Sequence, residues 1–275
     1  MADHRNVLHR RASLGAVALA LLTALPASAG EEEVITEKLD HGEVNWTEKT
    51  VMATGSGAPD LKLQNVAAVR LNAERAAKLA AYRNILEAIK GVRITASILG
   101  GEQLGQEQIR TQVDGIVRGC KTVDTRYYSD YGVDVVVKCT LDGGLATALA
   151  PPKAFKAVEG TGEKKYTGLI VDAVGLKAKP ALAPRLMGPD GVELYAQEMV
   201  KPAFLRKHGP AAFVRTVESA KRAERVGATP LIIKAAALGQ ADSDVRISAD
   251  EAAKLAGIDL TFLAEGRVVV ATDGP

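Results

Sequence analysis

Residues 65–90 constrain the fold more than any other stretch of this chain. Val66, Val69, Ala73, Ala76, Ala77 and Ala80 recur at helical spacing, and Leu79, Tyr82, Leu86 and Ile89 continue as a shifted stripe. Asn65 is a good cap, because its side chain can accept from the free amides of the first turn, and Gly91 is placed to stop the helix. A long helix whose apolar face is largely methyl groups can sit very close to a sheet. Arg70, Arg75, Lys78, Arg83 and Lys90 read as its solvated side.

Residues 1–29 read as an export signal. Arg5, Arg10 and Arg11 give a positive start, residues 12–25 are apolar, Pro26 breaks the helix, and Ala27-Ser28-Ala29 offers small residues for cleavage between Ala29 and Gly30. The apolar run is too short to span a bilayer comfortably. The expected mature protein starts at Gly30 and is periplasmic, with a secreted or surface-exposed destination as the alternative. Removing three arginines and one aspartate from 35 basic and 33 acidic residues leaves 32 of each. A neutral mature chain has no strong pull towards nucleic acid or anionic lipid, and no transmembrane span is expected in it.

Residues 30–42 are acidic and polar and read as a flexible N-terminus. Residues 43–54 read as one strand, residues 92–99 as a short strand, and residues 103–113 as a weaker helix. A hairpin follows, with arms at 115–128 and 133–141 around Ser129-Asp130-Tyr131-Gly132. Pro/Gly-rich residues 149–165 read as a linker. Beyond it, residues 166–173 read as a strand, and Gly188-Pro189-Asp190-Gly191 as a turn between strands at 182–187 and 192–195. Residues 210–225 read as a helix with proline in its first turn, and 231–237 as a strand. Ser248-Ala249-Asp250-Glu251 is a capping-box pattern for a helix to residue 255, and 266–271 closes as a strand. The expected fold class is α+β: two small domains, at 43–148 and 166–275, each an antiparallel or mixed sheet packed against one or two helices.

Cys120 and Cys139 are the only cysteines, and they fall on opposite arms of the hairpin. A two-residue loop at Ser129-Asp130 pairs positions whose numbers sum to 259, as 120 and 139 do. That register places them face to face for a disulfide, which an oxidising compartment would preserve; two buried free thiols are the alternative. His4 and His9 leave with the signal, and His41 and His208 are isolated, so no histidine metal site is expected. Gly160-Thr161-Gly162-Glu163-Lys164-Lys165 lacks phosphate-loop spacing and reads as linker. The acids at Asp242, Asp244, Asp250 and Glu251 lack a calcium-loop ladder. No catalytic residue, cofactor or metal is expected.

One resemblance adds to this reading. Trp46, Ala53-Thr54-Gly55, the alanines of the helix, Asn84-Ile85-Leu86-Glu87-Ala88-Ile89-Lys90-Gly91-Val92, Gly115-Ile116-Val117 and Tyr131-Gly132-Val133-Asp134-Val135-Val136-Val137 form a recurring pattern. It resembles the N-terminal domain of the flagellar assembly protein T and the LPP-type twenty-kDa envelope lipoproteins, over roughly residues 43–145. The resemblance implies a non-enzymatic envelope or flagellum-associated factor that binds another envelope protein. It departs from the lipoproteins in having no cysteine at the cleavage site. The rival expectation is a periplasmic small-ligand-binding protein or enzyme with a pocket between its domains. Homo-oligomerisation is left open.

Overall fold

The computed structural model of the chain describes residues 34–95, 98–141, 143–151, 154–239 and 242–274. The expected export signal and the expected cut between Ala29 and Gly30 lie outside the described residues. The chain is α+β, with two sheets and a two-domain architecture.

In the first half, β1 (Thr36–Leu39), β2 (Gly42–Asn45) and β3 (Thr50–Gly57) lead into α1 (Val66–Gly91). Next come α2 (Gly100–Leu104), α3 (Glu107–Arg118), β4 (Lys121–Tyr127), β5 (Val133–Thr140) and α4 (Gly143–Leu149). The five strands form one antiparallel sheet in the order β1-β2-β3-β5-β4. Alternation sets its inner face: Val133, Val135, Val137 and Cys139 are buried, while Asp134, Val136 and Lys138 lie on the other face.

α1 packs across β3 and β5 through Val69, Ala73, Ala77, Ala81, Ile85, Ala88 and Ile89. The buried stripe keeps almost strictly to every fourth residue, so Val66 and Leu79, expected inside, are instead half-exposed. Backbone contact explains the selection. A Cβ on Gly55 would overlap the Ala77 carbonyl and the Ala81 amide, and one on Gly57 would overlap the Ala73 carbonyl. The Asn65 cap is as expected, its Oδ1 accepting from the Ala67 amide at 2.9 Å. Gly91 is the last helical residue rather than the stop, and the chain leaves at extended Val92.

Other expectations change. The strand read at 43–54 is two strands, because Asn45 Oδ1 accepts from the Glu48 amide at 2.8 Å and Lys49 takes φ 53° to turn the chain. The segment read as flexible carries β1 after fully buried Ile35, whose side chain anchors it in the core. Of the expected strand at 92–99, the described residues show an isolated bridge, Arg93 with Leu99. The weak helix at 103–113 is two helices, and the first hairpin arm is helical up to Arg118. Within the stretch read as linker, the Lys156 amide donates to Glu198 at 2.8 Å, and Glu163 bridges Ile258.

The second half holds β6 (Gly168–Asp172), β7 (Leu186–Met187), β8 (Glu193–Tyr195), α5 (Pro202–His208), β9 (Ala212–Val214) and α6 (Val217–Arg222). It ends with β10 (Pro230–Leu238), β11 (Val245–Ile247), α7 (Ala249–Ala253) and β12 (Val268–Ala271). These strands make a mixed sheet in the order β8-β7-β11-β10-β6-β12-β9, with β10, β6, β12 and β9 parallel. β6 and β12 are apolar on both faces, as a covered parallel strand must be. Ile170 and Val269 meet Ala220 and Val226 on one side, while Leu169, Val171, Val268 and Val270 enter the main core.

The helix expected at 210–225 is not formed. Residues 212–214 join the sheet beside β12, and only Val217–Arg222 is α-helical, capped by Thr216. The first-turn proline belongs to α5, at Pro202. Ser248 caps α7, accepting from the Glu251 amide at 3.3 Å.

Candidate functional site

Two regions concentrate unusual geometry: the β4 edge and the seam between the sheets. At the edge, Cys120 and Cys139 are joined by a disulfide, with Cα atoms 4.9 Å apart. The pairing forms by a different route from the simple hairpin. The loop runs from Tyr128 to Gly132, and Tyr127 faces Val133, one residue out of the two-residue-loop register. A bulge at Val123 absorbs that residue, after which Thr122 faces Val137 and Lys121 faces Lys138. The cysteines then stand opposite each other.

Among the described residues β4 is the last strand of its sheet, with no strand on its outer side. Val123, Tyr127 and Tyr128 are 51%, 54% and 44% exposed. The tyrosines are oriented: the Tyr127 hydroxyl donates to Glu74 on α1 at 2.9 Å and Tyr128 to Asp134 at 2.7 Å, contacts that raise both phenol pKa values. Hydrogen bonds from Ser56 and then Tyr128 lower that of Asp134. The remaining sheet edges are short: β1 has 4 residues, β8 has 3 and β9 has 3, against 7 in β4. Arg93 further covers β1 by pairing with Glu37 at 2.8 Å. Short or covered edges resist strand addition, so β4 is the longest open one.

The seam is apolar and closely packed. Trp46 meets Phe213 edge to face with ring centroids 6.4 Å apart, and its indole N–H donates to Glu37 at 2.8 Å. The Leu182 and Ala183 amides donate to Arg93 and Ile94 across it. The gap left around Trp46, Leu141 and Phe213 is about 20 Å³, room for one water. Two clefts open at its margins. One, of about 310 Å³, lies between Ile94, Leu149, Arg185 and Gln197. The other, of about 480 Å³, is walled by Lys49, Phe204, Lys207, Arg225 and Arg267. Arg225 is half-buried and donates to the carbonyls of His208, Gly209 and Gly266; burial pushes its pKa down to about 10. Sequence reasoning missed this arginine, since nothing in its neighbourhood marks carbonyls 16, 17 and 41 positions away as its partners.

Other candidates are dispersed. His41 is exposed on the β1–β2 turn, and His208 ends α5. His4 and His9 lie outside the described residues. Asp242 pairs with Lys179 at 2.9 Å, buried Asp244 with Arg185, and Glu251 with Lys254 at 2.7 Å. Among the described residues no group of three metal-binding side chains converges, and no helix is long and apolar enough to cross a membrane.

Residues 168–274 match the family model described as Treponema pallidum Tp0624, second domain. The match opens at the first residue of β6 and takes in the whole seven-stranded sheet. No match is found among curated proteins.

Proposed function

We propose that this chain is an exported, periplasmic envelope factor, non-enzymatic and tied to flagellar assembly, that works by binding another envelope protein along β4. The open β4 edge carries this reading. An extended segment of a partner can add to it as a further strand, with main-chain hydrogen bonds giving affinity and exposed Val123, Tyr127 and Tyr128 giving side-chain contact. The disulfide and the tyrosine–carboxylate contacts hold the edge in one shape, which lowers the ordering cost of binding. The leader-like residues 1–29 and the resemblance of residues 43–145 to envelope modules support the compartment and the partner class.

The test places a photocrosslinking residue at Val123 or Tyr127 in cells, with Lys221 as a control. Adducts with an envelope or basal-body protein are expected at the edge positions alone, and Tyr127→Lys should abolish function in motility or envelope-integrity assays. Equal labelling at the control, together with no phenotype on deletion, overturns the reading. A second reading rests on the cleft of about 310 Å³ at the seam, which reaches the size of small-ligand pockets. A metabolite screen by thermal shift that returns no hit would remove it.

A further inference from the structure

The smaller seam cleft gathers carboxylates that the described residues do not neutralise. Glu193 comes from β8 and Glu198 from the short helical turn at Gln197–Met199, and both line the cleft half-buried. Arg185 lines it too, but its Nε and one terminal nitrogen already donate to the two oxygens of buried Asp244. Glu193 and Glu198 act on that guanidinium through space, and more weakly than Asp244 does. Three carboxylates thus share one guanidinium, which leaves an excess of two negative charges. Among the described residues neither glutamate side chain takes part in an ion pair or a hydrogen bond. Lys156 meets the Glu198 carbonyl through its amide, while its side chain is exposed and pairs with neither carboxylate.

Carboxylates near a surface are ordinarily just solvated, and Gln197 is what sets this cleft apart. It is 9% exposed and lines the same cleft, and its side-chain amide has no hydrogen-bond partner among the described residues. A buried amide without a partner destabilises a fold, because it gives up water and gains no bond in return. The facing wall comes from the first half of the chain and is mostly apolar. Ile94 and Ile98 lie between α1 and α2, and Leu149 and Pro151 lie at and just beyond the end of α4.

We propose that this cleft binds an aliphatic amine, its ammonium held by the Glu193 and Glu198 carboxylates and the Gln197 amide oxygen, its carbon chain along the apolar wall. An ammonium has three donors and no acceptor, which matches three oxygen-bearing side chains. The excess of two negative charges favours a diamine over a monoamine. A bare metal ion fits less well, since the cleft, at about 310 Å³, is far larger than an ion and apolar on one side. The inference rests on the second reading above, that this cleft takes a small ligand, and is independent of the β4 edge.

The experiment titrates the full chain at low salt by calorimetry with probes of one carbon-chain length: cadaverine, pentylamine, pentanediol and glutarate. Saturable binding is expected for cadaverine, weaker binding for pentylamine, and none for the neutral diol or the dianion. Glu193→Gln and Glu198→Gln should each weaken cadaverine about tenfold, the worth of one charge-assisted hydrogen bond. Gln197→Met should weaken it too, yet leave the melting temperature of the free protein unchanged or raised, because the amide bonds nothing there. A merely structural glutamine would lose stability instead. Glu218→Gln, on α6, should change nothing. Pentanediol or glutarate binding as tightly as cadaverine, or cadaverine binding that both glutamate variants leave unaltered, overturns the amine and keeps a ligand cleft. Binding of none of these probes also overturns it; a hit in the metabolite screen would then preserve the cleft reading, and an empty screen would remove both.

Discussion

Gly57 sits where β3 crosses α1, and the helix backbone leaves no room there for a methyl group. Gly55 repeats the condition one helical turn further along, against Ala77 and Ala81. The alanines and glycines therefore form one device: small residues on both surfaces let helix and strand backbones touch. Gly57→Ala should destabilise the protein by about 3 kcal/mol or more, because a backbone carbonyl cannot move aside as a side-chain end can. Thr54→Ala, on the exposed face of the same strand, should stay within about 0.5 kcal/mol. Urea titration of both variants checks the contrast, and equal losses would mean that the contact is not tight. Helix 65–90 was legible because every residue on its inner face bears on one neighbour. Which of two overlapping stripes went inside was not legible, since that depends on where Gly55 and Gly57 fall.

The β4–β5 hairpin shows how an element can be read well in outline and still be built differently. Alternating valines mark β5, and the cysteine spacing points to a cross-strand bond, but the one-residue bulge at Val123 has no local signal. The bond forms because a longer loop and the bulge offset each other. Losing it through Cys120→Ala with Cys139→Ala should lower stability by about 3 kcal/mol, the loop-entropy value for a closure of this length. Amide exchange in β4 should quicken more than in β3, since β4 has a neighbour on one side only. Uniform quickening across both strands would argue against a locally tethered edge. The misread helix at 210–225 has a related cause. Residues 212–214 are held by β12, far away in sequence, and three residues are too few to show a strand period. Arg225, taken with that helix, was for the same reason not recognisable as the hub of the basic cleft. The cysteines of the edge could be found from sequence, whereas the cleft could not, because its walls come from four separate segments.

At the scale of the molecule, the two sheets share a core. The principal cluster of buried apolar residues runs from Ile35 and Trp46 through Leu141 and Leu149 to Phe213 and Val270 as one group spanning both halves. Sheets joined this way should lose their structure together, since exposing either side of the seam strips apolar cover from the other. Trp46 is the only tryptophan and lies in the seam against Phe213, so its fluorescence reports that contact directly. Far-UV circular dichroism reports both sheets and every helix. The two signals should follow one denaturation curve with a common midpoint, and Phe213→Ala should move that midpoint down by about 3 kcal/mol of stability in both. If fluorescence changes first and dichroism follows in a second step, the seam is a weak contact between units that fold separately, and the clefts at its margins would open and close with it. If both move together in the wild type but separate in Phe213→Ala, the aromatic pair is the main tie between the halves. Coincidence in both proteins would instead spread that coupling over the wider apolar surface on which Trp46 and Phe213 lie.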